Sequence, residues 1–169
     1  MANQMTERLR YFAAVVLMSS VVNVGTAQFS FAIPDAIKLL KGSWRGSGTA
    51  SPSKGARERI SCRVKYDVRA MTVVQNVNCA GADYRINVKA NLTVRGNTIS
   101  GSWQETHFNY SGGLSGSVRG NVISARILGV SFSGRMNIKV SSRRQTVSIT
   151  RYDAKSKKYR NMANITLRK

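Results

Sequence analysis

Between Arg85 and Val94 the chain reads Arg-Ile-Asn-Val-Lys-Ala-Asn-Leu-Thr-Val, with apolar and polar residues in strict alternation. Ile86, Val88, Ala90, Leu92 and Val94 fall on one side of an extended chain, and Arg85, Asn87, Lys89, Asn91 and Thr93 on the other. A period of two marks a strand buried on one face only. The same alternation recurs from about Trp44 to Leu167, interrupted near Lys54-Gly55, Ala70-Met71, Gly81-Ala82, Gly96-Asn97, Ser111-Gly112, Gly120-Asn121, Gly129-Val130, Ser141-Ser142 and Ser156-Lys157. Nine interruptions imply ten strands. The pattern predicts an all-β fold, an antiparallel up-and-down β-barrel of about 8–10 strands with an apolar inside and a polar outside.

A short helix precedes the barrel. Pro34 suits a first helical position, Asp35 complements the positive end of the helix dipole, and Gly42 stops the run, so Pro34 to Lys41 reads as helical. Trp44, Gly46, Gly48 and Ala50 then alternate with Arg45, Ser47 and Thr49 on a first strand whose glycines permit sharp coiling. One segment repeats: Val94-Arg95-Gly96-Asn97-Thr98-Ile99-Ser100 and Val118-Arg119-Gly120-Asn121-Val122-Ile123-Ser124 agree at six of seven positions, 24 residues apart. In a meander this offset places like turns at the same barrel end, a hairpin solution used twice.

The two cysteines fix a register. If residues 58–69 and 71–80 form a hairpin, the opposed positions sum to 141, which pairs Cys62 with Cys79, Val64 with Val77 and Val68 with Val73. Directly opposed side chains come within disulfide reach, so a Cys62–Cys79 bond is expected. Residues 1–27 carry Arg8 and Arg10 ahead of an apolar stretch and end on Gly25-Thr26-Ala27, the form of a secretory signal peptide. Residues 28–42 then make the N-terminal segment and helix, and 43–169 the barrel domain. A periplasmic or secreted location follows, which is also where a cysteine pair oxidises.

Charge adds the exterior. The whole chain has 27 Lys and Arg against seven Asp and Glu; without Arg8, Arg10 and Glu7 the balance is 25 against six, a net charge of +19. So basic a surface attracts polyanions. For an exported chain these are anionic envelope glycan or lipid headgroups, and no nucleic acid is expected. The densest positive stretches are Arg143-Arg144 and Lys155, Lys157, Lys158 and Arg160, both at expected turns. Outward Arg63, Lys65, Lys89, Arg126, Arg135 and Lys139 leave no apolar band for lipid, which argues against a membrane-spanning barrel.

Little in the chain looks catalytic. There is one histidine, His107, and no nucleophile elbow, phosphate loop or metal-ligand cluster is recognisable, so neither enzyme activity nor a cofactor or metal is expected. Ile99, Gly101, Trp103, Glu105 and His107 alternate onto one face of the strand Thr98 to Phe108. Glu105 and His107 are then either a polar anchor inside an apolar pocket or a rim pair that meets water. Trp44, Trp103, Phe132 and Met136, with Glu105 and His107, are the candidate interior ligand set, and Arg151, Gln75 and Tyr66 are further polar contacts. The small inward residues (Gly46, Gly48, Gly101, Gly116, Ala125, Gly134) imply either a cavity or strands in close approach.

The helix followed by Gly42-Ser43-Trp44-Arg45-Gly46-Ser47-Gly48 resembles the opening of the calycin superfamily, which includes lipocalins, fatty-acid-binding proteins and nitrobindin-like barrels. The resemblance implies that the helix closes one barrel end with the tryptophan packed over it. The leader, the Cys62/Cys79 hairpin and Gly101-Ser102-Trp103-Gln104-Glu105 also resemble alpha-proteobacterial exported proteins of unknown function. Two functions are then expected in competition. One is an exported binding protein holding a small apolar or amphipathic ligand in the barrel; the other is an envelope module that binds anionic glycan or lipid through its exterior. A small barrel inhibitor of an envelope or host enzyme comes behind both.

Overall fold

The computed structural model describes residues 32–51, 57–83, 85–130 and 132–169. The expected signal peptide lies outside these residues, as does the turn expected near Lys54-Gly55. Helix α1 (Asp35–Leu40) leads into ten strands: β1 (Gly42–Ala50), β2 (Glu58–Arg69), β3 (Thr72–Ala80), β4 (Arg85–Arg95), β5 (Thr98–Glu105), β6 (Tyr110–Arg119), β7 (Val122–Gly129), β8 (Ser133–Val140), β9 (Arg144–Asp153) and β10 (Lys158–Arg168). Each strand pairs antiparallel with its sequence neighbours, and β1 pairs with β10 to close the barrel. Closure removes the unpaired edges that an open sheet of ten strands would expose.

Strand parity sets the core. Ile60, Cys62, Val64, Tyr66 and Val68 alternate inward along β2 and all are buried, while Arg59, Ser61, Arg63 and Lys65 face out. The expected hairpin register is present: Cys62 lies opposite Cys79, Val64 opposite Val77 and Val68 opposite Val73. The cysteines are bonded, with their Cα atoms 4.1 Å apart. Closing a loop 17 residues long stabilises the fold by about 3 kcal/mol on the chain-entropy model. Ala70, a weak turn former by chemistry, takes a φ of 43° to make this turn.

Two details depart from the sequence reading. The turn between β5 and β6 falls at Thr106–Asn109, not at Ser111-Gly112, which lies inside β6. The cause is Glu105, whose carboxylate accepts the backbone N–H groups of His107 and Phe108 and so folds the chain back directly after β5. In β10 the register slips between Asn161 and Ala163, a bulge at Met162 that no turn chemistry announced.

Helix α1 rests against β2 and β8. Its buried residues Ala36, Ile37 and Leu40 join the barrel core. Trp44 is 0% exposed and donates its indole N–H to the Leu40 carbonyl at 2.6 Å, while the Lys169 ammonium sits 4.9 Å above the ring and bonds the Leu39 carbonyl at 3.0 Å. The helix therefore seats on one barrel end, at the same end as the β2–β3, β4–β5, β6–β7 and β8–β9 turns. The opposite end, which we call the mouth, carries the β3–β4, β5–β6, β7–β8 and β9–β10 turns.

Candidate functional site

The inner wall is not uniformly dry. Val77, Ile86, Leu92, Trp103, Ile127, Met136 and Ile149 point inward by register and pack on the core, yet each is only half-buried. Apolar surface that faces into a closed barrel and still meets solvent is where a hydrophobic ligand gains most from burial.

The aromatic members of the expected set are placed by glycines. A Cβ on Gly129 would stand 2.9 Å from Trp103 Cζ2, so the indole occupies the space that glycine leaves, and its N–H donates to the Gly113 carbonyl at 3.2 Å. The Phe132 ring covers Gly134 in the same way, with Cζ 2.9 Å from the Cβ position. Met136 stands between Ala125 and Ile149 in neighbouring strands. Trp103 and Phe132 thus belong to the mouth half, while Met136, midway along β8, also lines the small cavity under the helix. Trp44 lies at the other end, locked under the helix. A Cβ on Gly46, Gly48, Gly101 or Gly116 would overlap a backbone carbonyl of the adjacent strand, so these glycines serve the approach of paired strands.

Glu105 and His107 separate. Glu105 is 5% exposed at the end of β5 and accepts backbone N–H groups from Asn87 (2.9 Å), His107 (3.1 Å) and Phe108 (2.5 Å). Burial pushes its carboxyl pKa up, but the three N–H donors and the nearby imidazole outweigh burial and hold it below its ordinary value. Its hydrogen-bonding capacity is directed to the turn. His107 is exposed and makes an edge contact with Phe108 at 4.8 Å, and Phe108 stacks on Tyr110 at 6.2 Å. The mouth rim is therefore aromatic on the β5–β6 side. Opposite Gly134, at the same end, Arg151 is exposed and has no carboxylate partner among the described residues.

The deep polar group is Tyr66, with Gln75 and Gln145. Gln75 lies directly opposite Tyr66 and donates to its hydroxyl at 3.3 Å; the hydroxyl donates to Gln145 Oε1 at 3.1 Å. Burial pushes the Tyr66 phenol well above its ordinary value, against a smaller opposing effect of the Gln75 bond. Gln145 is 0% exposed and its Nε2 has no hydrogen-bond partner. Beside Tyr66 and Gln75, under Ile37 and Leu40 of the helix, is a cavity of about 20 Å³, room for about one water. Gln145 escaped the sequence reading. A polar residue at the inward parity of Val147 and Ile149 was the available signal.

The basic residues expected on the exterior do not form one patch. Arg143 and Arg144 lie at the helix end, Lys155, Lys157, Lys158 and Arg160 at the mouth end. Asp153 partly neutralises the second group: its carboxylate takes the Lys155 and Ser156 N–H groups and pairs with Arg160 at 2.8 Å. The Ser156 N–H, more than the other neighbours, lowers the Asp153 pKa.

No family model and no curated protein matches the chain. Solved structures do. Rv2717c from M. tuberculosis superposes with a TM-score of 0.65 at 12% identity, over 82% of this chain and 99% of that one. The S-type phycobiliprotein lyase CPES from Guillardia theta superposes with a TM-score of 0.57 at 7% identity, over 79% and 89%. At such identities the likeness carries the fold alone: a closed, ten-stranded antiparallel β-barrel. The resemblance to alpha-proteobacterial exported proteins finds no support in these matches.

Proposed function

We propose that the protein is an exported, non-enzymatic binding barrel that holds a small amphipathic ligand in its mouth half. The observation that carries this reading is the half-buried apolar inner wall from Val77 to Ile149. The floor beneath the helix leaves only about 20 Å³, so the ligand's apolar part lies above it, between Trp103, Ile127 and Met136, and its polar end sits at the rim beside Arg151. Export is supported by the buried Cys62–Cys79 bond and the leader-like residues 1–27. The phycobiliprotein lyase neighbour lends the reading support at the level of architecture alone.

Tryptophan fluorescence tests it. Trp44 is sealed and Trp103 is half-buried at the site, so the two indoles differ in access. Titration with a long-chain fatty acid, the simplest amphipath with an anionic head, should shift Trp103 emission. Trp103→Phe should abolish the shift, and Arg151→Gln should weaken binding about tenfold, the ~1.4 kcal/mol of one charge-assisted contact. Saturable binding unaffected by either substitution would place the ligand elsewhere.

A further inference from the structure

Outward-facing residues of four adjacent strands place arginines in a line. Across the register, Arg63 of β2 is opposite Arg45 of β1, Arg45 opposite Arg168 of β10, and Arg168 opposite Arg144 of β9. All four are exposed. The ion pairs among the described residues are Lys38–Asp35, Arg69–Asp67 and Arg160–Asp153, so none of the four arginines has a carboxylate partner. Three strand spacings span about 14 Å. Like charges directly opposed across strands destabilise a sheet, and here three such pairs run in series.

Next to this line the outer wall is concave. A groove of about 360 Å³ crosses β1, β10, β9 and β8 and reaches Val122 of β7. Its outward lining includes Ser47, Val122, Asn137, Lys139, Ser148 and Asn164. Ser47, Thr166, Thr146 and Lys139 are themselves a cross-strand row, two residues along from the arginines. Thr146, Ser148 and Thr166 are only half-exposed, because small side chains on coiled strands form the bottom of the groove.

We propose that this groove and the arginine line together bind an anionic oligosaccharide. Hydroxyl and amide side chains in the groove exchange hydrogen bonds with sugar hydroxyls, and the guanidinium row takes the carboxylate, sulfate or phosphate substituents, for which arginine's forked donors are suited. A bound polyanion relieves the repulsion that the arginines otherwise impose. The groove has no aromatic lining on which bases would stack, which disfavours single-stranded nucleic acid. It presents no large apolar side chain for insertion into a bilayer, while Phe108, Tyr110 and Val130 are exposed at the barrel mouth instead. The proposal is independent of the interior ligand.

Calorimetric titration with a sulfated hexasaccharide tests it. Arg45→Gln combined with Arg168→Gln should weaken binding at least tenfold. Arg85→Gln with Lys89→Gln, the same loss of charge on β4, outside both the line and the groove, should change it less than twofold. Ser148→Ala with Asn164→Ala should weaken the saccharide several-fold and leave inorganic tripolyphosphate within twofold. Thermal melts in low salt guard against misfolding: the Arg45/Arg168 variant should melt no lower than the native protein and lose the stabilisation that the saccharide confers. Equal losses for the two charge-removing pairs would reduce the effect to net charge and overturn the proposal. So would phosphatidylglycerol vesicles bound more tightly than the saccharide with the same dependence on Arg45 and Arg168, which would assign the face to a membrane.

Discussion

Two residues at the ends of the polar scale control how this apolar barrel responds to pH. Glu105 is charged and buried, yet each of its bonds goes to a backbone N–H within its own corner of the fold. Because its folded pKa lies below the ordinary carboxylate value, its stabilisation is complete above that value, about 4.3, and is lost as pH falls through the folded pKa. Glu105→Gln should cost about 1.5–3 kcal/mol at neutral pH, the worth of bonds to a charged acceptor. Urea titrations at neutral and strongly acidic pH should show that gap closing in acid. Tyr66 works in the opposite direction. Its folded pKa is raised by burial, so its contribution is complete below the unfolded value of about 10 and is lost as pH rises through and beyond it. Thermal melts between pH 8 and 11 should show a destabilisation that Tyr66→Phe removes. The Phe variant should itself be weaker at pH 8, since Gln75 and Gln145 lose their shared partner. Neither environment could be read from local sequence. Glu105 looked like half of a Glu-His pair because the turn that removes His107 is made by Glu105 itself, and Gln145 finds Tyr66 across 79 residues.

At the scale of the strand, alternation was sufficient. The period-two pattern gave the number of strands and the inward sets, and the cysteine spacing gave the β2–β3 register residue for residue. What alternation does not carry is registration across the closing seam. The β1–β10 pairing brings together residues more than a hundred positions apart, and with it the arginine line and the outer groove. The bulge at Met162 is hidden for the same reason: it adjusts one strand to another without any local signature. The seam also explains the glycines of β1. A Cβ on Gly48 would overlap the Asn164 carbonyl and crowd the Ile165 Cα, so β1 could not approach β10 with any side chain there. Gly48→Ala should therefore destabilise by about 1–3 kcal/mol, as overpacking does, with amide exchange increased first along β1 and β10. Uniformly increased exchange around the barrel would show that the glycine acts elsewhere.

The molecule as a whole divides into a sealed end and an accessible one. Helix α1, Trp44 and Lys169 close the first, with Tyr66, Gln75 and Gln145 just inside. At the second, Trp103 and Phe132 pack against Gly129 and Gly134, aromatic side chains line the β5–β6 rim, and Val130 is 99% exposed. The candidate interior residues scattered along the sequence divide by the same axis. Trp44 secures the floor, Met136 stands midway along β8 above the small cavity, and Trp103 and Phe132 lie toward the opposite end. Native mass spectrometry of the protein isolated from its own source, beside a denatured control, tests the central claim most directly. A mass excess of a few hundred daltons that disappears on denaturation, and is absent from the Trp103→Ala, Met136→Ala variant, is the result this account predicts. A bare mass for native protein and variant alike would contradict it.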